Sequence, residues 1–204
     1  MTIFQMKTIL SLMFLSLLAL TACNKAEELT SAHNPQAEQL KAESWEDFVS
    51  RQIEAHMQAH PQWAVVQGRH EFDGQLPDWS RAAIEAEITR LHLARDQAMA
   101  FTDEQLSAEQ RYQREYLVSR VDQDIFWMDK VQLPFRSPQF YFGWMGDSLD
   151  PSAYIALDYA SLSERMSAFT RYLGNVPKAV GQIRENLAMP MPRTWLQLGI
   201  DGFG

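Results

Sequence analysis

The chain has 204 residues, 46% hydrophobic, 22% charged and 11% aromatic, with nine glycines, nine prolines and one cysteine. These proportions exclude disorder throughout, a collagen-like repeat and a disulfide-stapled scaffold. The net charge of −8 argues against a generic nucleic-acid surface.

Residues 1–22 read as a signal peptide: Lys7 precedes an apolar run, Ile9 to Ala22, too short for the roughly 20 residues of a spanning helix. The run ends in Leu20-Thr21-Ala22-Cys23, which resembles the lipobox of bacterial lipoproteins. There the cysteine thiol takes the lipid and becomes the new N-terminus, so Cys23, the sole cysteine, is the expected lipidation site. This implies a lipid anchor in the membrane and an envelope location facing the periplasm. Asn24 after the cysteine favours the outer membrane by the same resemblance. Residues 23–43 then form the lipidated cysteine and a polar tether, whose twenty residues after Cys23 reach up to about 65 Å when extended.

From residue 44 onward the pattern is helical. Ser44 with Asp47 starts a helix over 44–60, with Trp45, Phe48, Val49, Ile53 and Met57 as its stripe, stopped by Pro61. A turn-rich loop covers 67–78. Asp78 or Ser80 then caps a helix to about Ala100, its apolar face built from Ile84, Ile88, Leu91 and Met99. Ser107 and Gln110 form a capping box for a helix over 107–131, with Tyr112, Leu117, Val121, Ile125 and Met128 inward. Pro134 and Pro138 bracket a break, and Phe140 to Met145 reads as an aromatic plug in preference to a strand, since no partner strand is evident. Asp150-Pro151 starts a helix carrying Ile155, Leu162, Met166, Phe169 and Leu173, ended by Gly174; another runs from Pro177 to Ala188. After Met189-Pro190-Met191-Pro192 comes an apolar segment, Trp195 to Ile200. The expectation is an all-α fold of five or six helices, part of something larger, because the last ten residues are as apolar as an element that packs against more chain.

Three motifs invite chemistry. His56 and His60 share a helix face at the spacing of H-E-x-x-H zinc sites. Met57 stands where the general-base glutamate belongs, and no third ligand offers itself at a recognisable spacing, so no metal ligand is assigned. Gly146-Asp147-Ser148-Leu149 matches the nucleophile block of GDSL esterases, yet every histidine (33, 56, 60, 70 and 92) precedes Ser148 and none follows. A serine without a base is hardly activated, and Ser148 reads as a turn residue. Asp122 and Asp124, two apart on a helix, point to different faces as solvated charges. No catalytic or cofactor-binding residue is therefore assigned in this chain. The aromatics Trp127, Phe135, Phe140, Tyr141, Phe142 and Trp144 are dense enough to line a groove, although core packing is the commoner explanation at this spacing; Phe140, Tyr141, Phe142 and Trp144 are the candidates for groove lining.

Several segments in order resemble one family. Gln67-Gly68-Arg69-His70 is followed by Asp73-Gly74-Gln75-Leu76-Pro77-Asp78-Trp79-Ser80. Later come Asp150-Pro151-Ser152-Ala153-Tyr154, Ser163-Glu164-Arg165-Met166, the stretch Val176 to Leu187, and Pro192-Arg193-Thr194-Trp195. Together these are similar to the N-terminal region of bacterial domain-of-unknown-function family 885 (DUF 885), over roughly residues 45–204. The resemblance implies an exported lipoprotein about three times this length, with a helical fold related to gluzincin-type zinc metallopeptidases. It places zinc, an H-E-x-x-H helix and a glutamate ligand in the C-terminal part, where zinc polarises the scissile carbonyl and activates water. This chain contains no H-E-x-x-H, so no ligand carries over, and no cofactor is expected in it. The matched positions have structural roles of their own: Gly68 for a turn, Asp78 and Asp150 for caps, Arg165 and Arg184 for ion pairs.

The expected function is that of a truncated N-terminal portion of a zinc-dependent peptidase, inactive alone, with peptide as substrate only for a full-length protein. The alternative is a non-catalytic helical envelope lipoprotein that binds a partner or small ligand.

Overall fold

The computed structural model of the protein describes residues 43–141, 149 and 151–203. Cys23, Phe142, Trp144, Ser148 and Asp150, each singled out by the sequence, lie outside the described residues. Helix α1 (Trp45–Ala59) starts where Ser44 Oγ accepts the Asp47 amide at 3.1 Å, and two acidic residues in its first turn complement the helix dipole. Pro61 ends it by pushing His60 out of helical geometry (φ −126°, ψ 66°). The same proline is pre-organised for a first helical turn, and α2 (Pro61–Val66) begins on it.

Ser80 caps α3 (Arg81–Ala100), and the expected capping box of Ser107 and Gln110 opens α4 (Ala108–Ile125). These two helices form an antiparallel hairpin, since Arg95 meets Asp122 at 2.6 Å and Arg114 Nη1 donates to the Phe101 carbonyl at the turn. Helix α4 loosens into a π-turn at Phe126–Lys130; a short α5 (Leu133–Arg136) and a 3-10 turn, Pro138–Tyr141, follow. The remainder comprises α6 (Ser152–Ala156), α7 (Leu162–Asn186) and α8 (Arg193–Phe203). The fold is all-α, with no strand and no helix long and apolar enough to cross a membrane among the described residues.

The largest departure from the sequence reading lies in α7. The helix expected from Pro151 stops after five residues, and Ser161 with Glu164 supplies a second capping box from which 25 residues run unbroken through Gly174 and Pro177. Pro177 is tolerated because it and Leu173, whose carbonyl it leaves without an amide partner, both lie on the exposed face. The expected stripe is rotated accordingly: Ile155, Leu162 and Leu173 are exposed, whereas Ala168, Tyr172, Ala179, Ile183 and Asn186 are buried. Met99 and Tyr112, also expected inside, are exposed, and Ala94 and Ala98 take the close-packing positions on α3.

Apolar side chains gather in three clusters. One joins Trp45 and Phe48 of α1 to Ala98, Phe101 and Leu106 at the α3–α4 turn. A second packs Ala64, Val65 and Phe72 on Tyr154, Ala168 and Tyr172. The third sets Ala179 and Ile183 of α7 among Trp79, Ile84, Leu91, Ile125, Met128, Leu133, Phe140 and Tyr141. In it the Tyr141 hydroxyl donates to the Pro134 carbonyl (2.7 Å) and meets Asn186 Nδ2 at 3.2 Å. Burial pushes this phenol up to about 12 from its ordinary 10. A phenol raised in the folded state contributes stability in full below pH 10 and loses it as pH climbs through about 12. Urea midpoints should therefore decline over that window, and the decline should be shallower in Tyr141→Phe.

Several residues of the segments that carry the family resemblance brace the turn before α3 against α6 and α7. Gly74 donates its amide to Tyr154 Oη (2.8 Å), and its carbonyl accepts from Asn175 Nδ2 (2.9 Å). Tyr159 Oη donates to Asp73 at 2.9 Å while its ring stacks on His70. Asp78 Oδ1 accepts from the Ser80 amide and from Gln182 Nε2, making it a turn brace beside the Ser80 cap. Arg165 reaches the Tyr154, Ile155 and Ala160 carbonyls and pairs with Asp158, which closes the end of α6; Arg184 is exposed.

Candidate functional site

Helix α1 runs antiparallel to α3, as the Arg51–Gln97 and His60–Glu87 contacts require, and alongside α4, where Trp45 Nε1 donates to Gln113. Between α1 and α4, with Arg90 and Ala94 of α3 as floor, lies an open cavity of about 1050 Å³. Its walls mix apolar surface (Ile53, Trp63, Tyr116, Leu117, Trp127) with amide and charged groups (Gln52, Gln113, Arg120, Asp124). A smaller cavity of about 310 Å³ lies between the end of α1, the Pro77–Trp79 turn and α3, and Phe140 reaches its wall.

His56 faces the larger cavity, while His60 and Glu87 face the smaller, and Arg90 borders both. One turn of α1 brings the two imidazoles together with ring centres 4.3 Å apart, and Trp63 packs edge-on against His56 at 4.9 Å. Glu87 Oε1 lies 3.7 Å from His60 Nε2. Its two oxygens accept a bidentate pair from Arg90 at 2.6 and 2.7 Å, and Arg90 Nη1 also donates to Gln52. Burial, followed by the nearby His60 and Arg90, pushes the His56 imidazole down to about 4. Burial alone would raise Glu87, but Arg90 and His60 outweigh it and hold the carboxyl at about 2. At neutral pH the site thus presents a neutral His56 and an ionised Glu87. Across the cavity, burial pushes the Asp124 carboxyl up while Arg120 opposes it.

The third residue that spacing within α1 does not offer comes from α3. His56, His60 and Glu87 each provide one ligand-type atom, all within 4.8 Å of one another. No sequence signal marks Glu87, which sits 27 residues beyond His60 on a helix that only the tertiary fold brings alongside. Asp122 and Asp124 do point apart: Asp122 pairs with Arg95 at the surface, but Asp124 turns into the large cavity, where solvation was expected. Tyr141 is fully buried and bonded in the core, and Phe140 is buried on the edge of the small cavity; neither lines the large one.

Residues 61–201 match the family described as bacterial protein of unknown function (DUF885). No curated protein matches the chain. Among solved structures, the fold is similar to that of a "putative lipoprotein of unknown function from Shewanella oneidensis", with a TM-score of 0.66 and 17% identity. That likeness covers 78% of this chain and 28% of the other, so the chain spans little more than a quarter of the neighbour's length. The family match begins at Pro61, which leaves α1 with His56 and His60 outside it. By this match over more than half its length, the chain belongs to the bacterial family of unknown function DUF885.

Proposed function

We propose that this chain is the N-terminal helical portion of a longer envelope lipoprotein of the DUF885 family, whose peptide-hydrolysing zinc machinery lies in the C-terminal portion. The observation that carries the reading of a portion of a longer chain is the likeness to a protein of which this one spans only 28%; peptide hydrolysis rests on the family resemblance. The exposed Leu196 and Ile200, four apart on one face of α8, favour it too, because such an apolar pair is commonly covered in a complete fold. In the longer protein the cavity between α1 and α4 forms one wall of the peptide cleft. Tyr116 and Trp127 take apolar side chains there, and the Gln52 and Gln113 amides bond to extended backbone. It is preferred to a groove lined by Phe140 and Tyr141, because Tyr141 is held in the core and Phe140 reaches only the smaller cavity.

The test is to express the reading frame extended beyond codon 204 beside the 204-residue chain. The extended protein should cleave peptides in an EDTA-sensitive manner, and Trp127→Ala in it should raise KM by about tenfold, the effect of losing one aromatic contact. An extended frame without an H-E-x-x-H helix, or without peptide hydrolysis, would remove the reading. Anchoring is tested separately: Cys23→Ser should abolish labelling by radioactive palmitate. Continued labelling of that variant would contradict a lipid anchor at Cys23.

A further inference from the structure

We propose that His56, His60 and Glu87 form a divalent transition-metal site, separate from any H-E-x-x-H centre encoded elsewhere. Two imidazoles and one carboxylate are the donor set that suits Zn²⁺ and its neighbours Co²⁺ and Ni²⁺, whereas Mg²⁺ and Ca²⁺ take oxygen ligands. Tetrahedral zinc at about 2.0–2.1 Å from each donor needs donors about 3.3 Å apart. The three atoms lie within 4.8 Å of one another, and His60 Nε2 and Glu87 Oε1 are 3.7 Å apart. Closing the set therefore asks for shortenings of at most about 1.5 Å between any two donors.

The surroundings are those of a held ligand set. Arg90 orients the Glu87 carboxylate through one hydrogen bond to each oxygen, leaving a second lone pair on each, and is itself steadied by Gln52. Trp63 packs on the His56 ring and limits its rotation. Arg90 and Arg120 oppose a cation, while Glu87 and Asp124 offset them, so net charge does not exclude the ion. Because the ligands sit between the two cavities, an ion has a route in, and a fourth position is left for water or for a donor arriving through the large cavity.

The experiment is titration of the purified 204-residue chain with Co²⁺, read by visible absorption, and with Zn²⁺, read by calorimetry. One equivalent should bind, with the intense d–d bands of four- or five-coordinate cobalt, and Zn²⁺ should displace it. His56→Ala, His60→Ala and Glu87→Gln should each weaken binding by at least about 100-fold, the upper range for perturbing even the outer shell of a metal site. His92→Ala, which removes a histidine paired with Asp129 farther along α3, should leave it unchanged. No saturable binding, or binding that survives both His56→Ala and His60→Ala, would overturn the site. Should those variants unfold by circular dichroism, the wild-type cobalt spectrum decides: a weak octahedral spectrum like that of the aqueous ion is the contrary result. The site rests on geometry independent of the proposed downstream peptidase: the chain lacks H-E-x-x-H, so metal bound by it is not held by that motif, and failure of either reading leaves the other standing.

Discussion

Gly74→Ala is expected to destabilise the protein by about 2 to 5 kcal/mol, a large share of the 5–15 kcal/mol of an ordinary domain. Gly74 holds φ +81°, a region that costs an L-residue roughly 1–2 kcal/mol. A Cβ there would also stand 2.8 Å from Arg171 Cβ and 2.9 Å from the Ala168 carbonyl oxygen. The second contact is with helix backbone, which cannot swing aside, so the turn and α7 must separate at an overpacking cost of about 1–3 kcal/mol. Separation would in turn stretch the Gly74 hydrogen bonds to Tyr154 and Asn175. Gly68 is the control: at φ +87° it carries the same backbone penalty, but nothing lies within 4 Å of its Cβ position. Urea midpoints should therefore fall much further for Gly74→Ala than for Gly68→Ala. Equal shifts would mean that the packing of the turn on α7 contributes nothing.

Asn186→Leu should cost about 2 to 4 kcal/mol although it puts an apolar residue into an apolar setting. Asn186 is 3% exposed, and its Nδ2 donates to the Trp79 carbonyl at 2.6 Å and lies 3.2 Å from Tyr141 Oη. Leucine removes the donor and leaves a buried carbonyl without that partner, a penalty of about 1–3 kcal/mol before any steric misfit. Because Tyr141 belongs to the same network, Asn186→Leu and Tyr141→Phe should be non-additive, with a coupling of about 0.5–2 kcal/mol in a double-mutant cycle. Strict additivity in that cycle would show that the two side chains act independently.

These two positions illustrate what the sequence makes legible. Helix starts at Ser44, Ser80 and Ser107 are legible because the signal is local, a short polar side chain reaching an amide three residues on, whereas the same signal at Ser161 is hidden behind the start that Asp150-Pro151 suggests. Gly174 and Pro177 mislead, since a breaker acts only if the surrounding structure cannot absorb it, and on the exposed face of α7 it can. Reading a stop there splits one helix into two and rotates the inferred stripe off Ala168, Tyr172 and Asn186. The resemblance motifs around Gly74 and Asp78 identify the family, but only the fold reveals them as one brace between a turn and α7. The metal-ligand triad was half legible. His56 and His60 announce themselves by spacing within one helix, whereas Glu87 joins them only through the packing of α1 on α3.

Hydrolysis is where the scaffold and the metal cluster can be told apart from an enzyme. His56, His60 and a Glu87 carboxylate tied to Arg90 make the proposed ion site beside a cavity, but no H-E-x-x-H glutamate stands ready to take a proton from bound water. The most direct measurement is cleavage of a fluorogenic peptide library by the zinc-loaded 204-residue chain, with and without EDTA and beside His56→Ala. The account predicts no EDTA-sensitive cleavage by this chain under any of these conditions. Turnover that EDTA abolishes and that His56→Ala also removes would contradict it, by showing that these helices are themselves the catalyst.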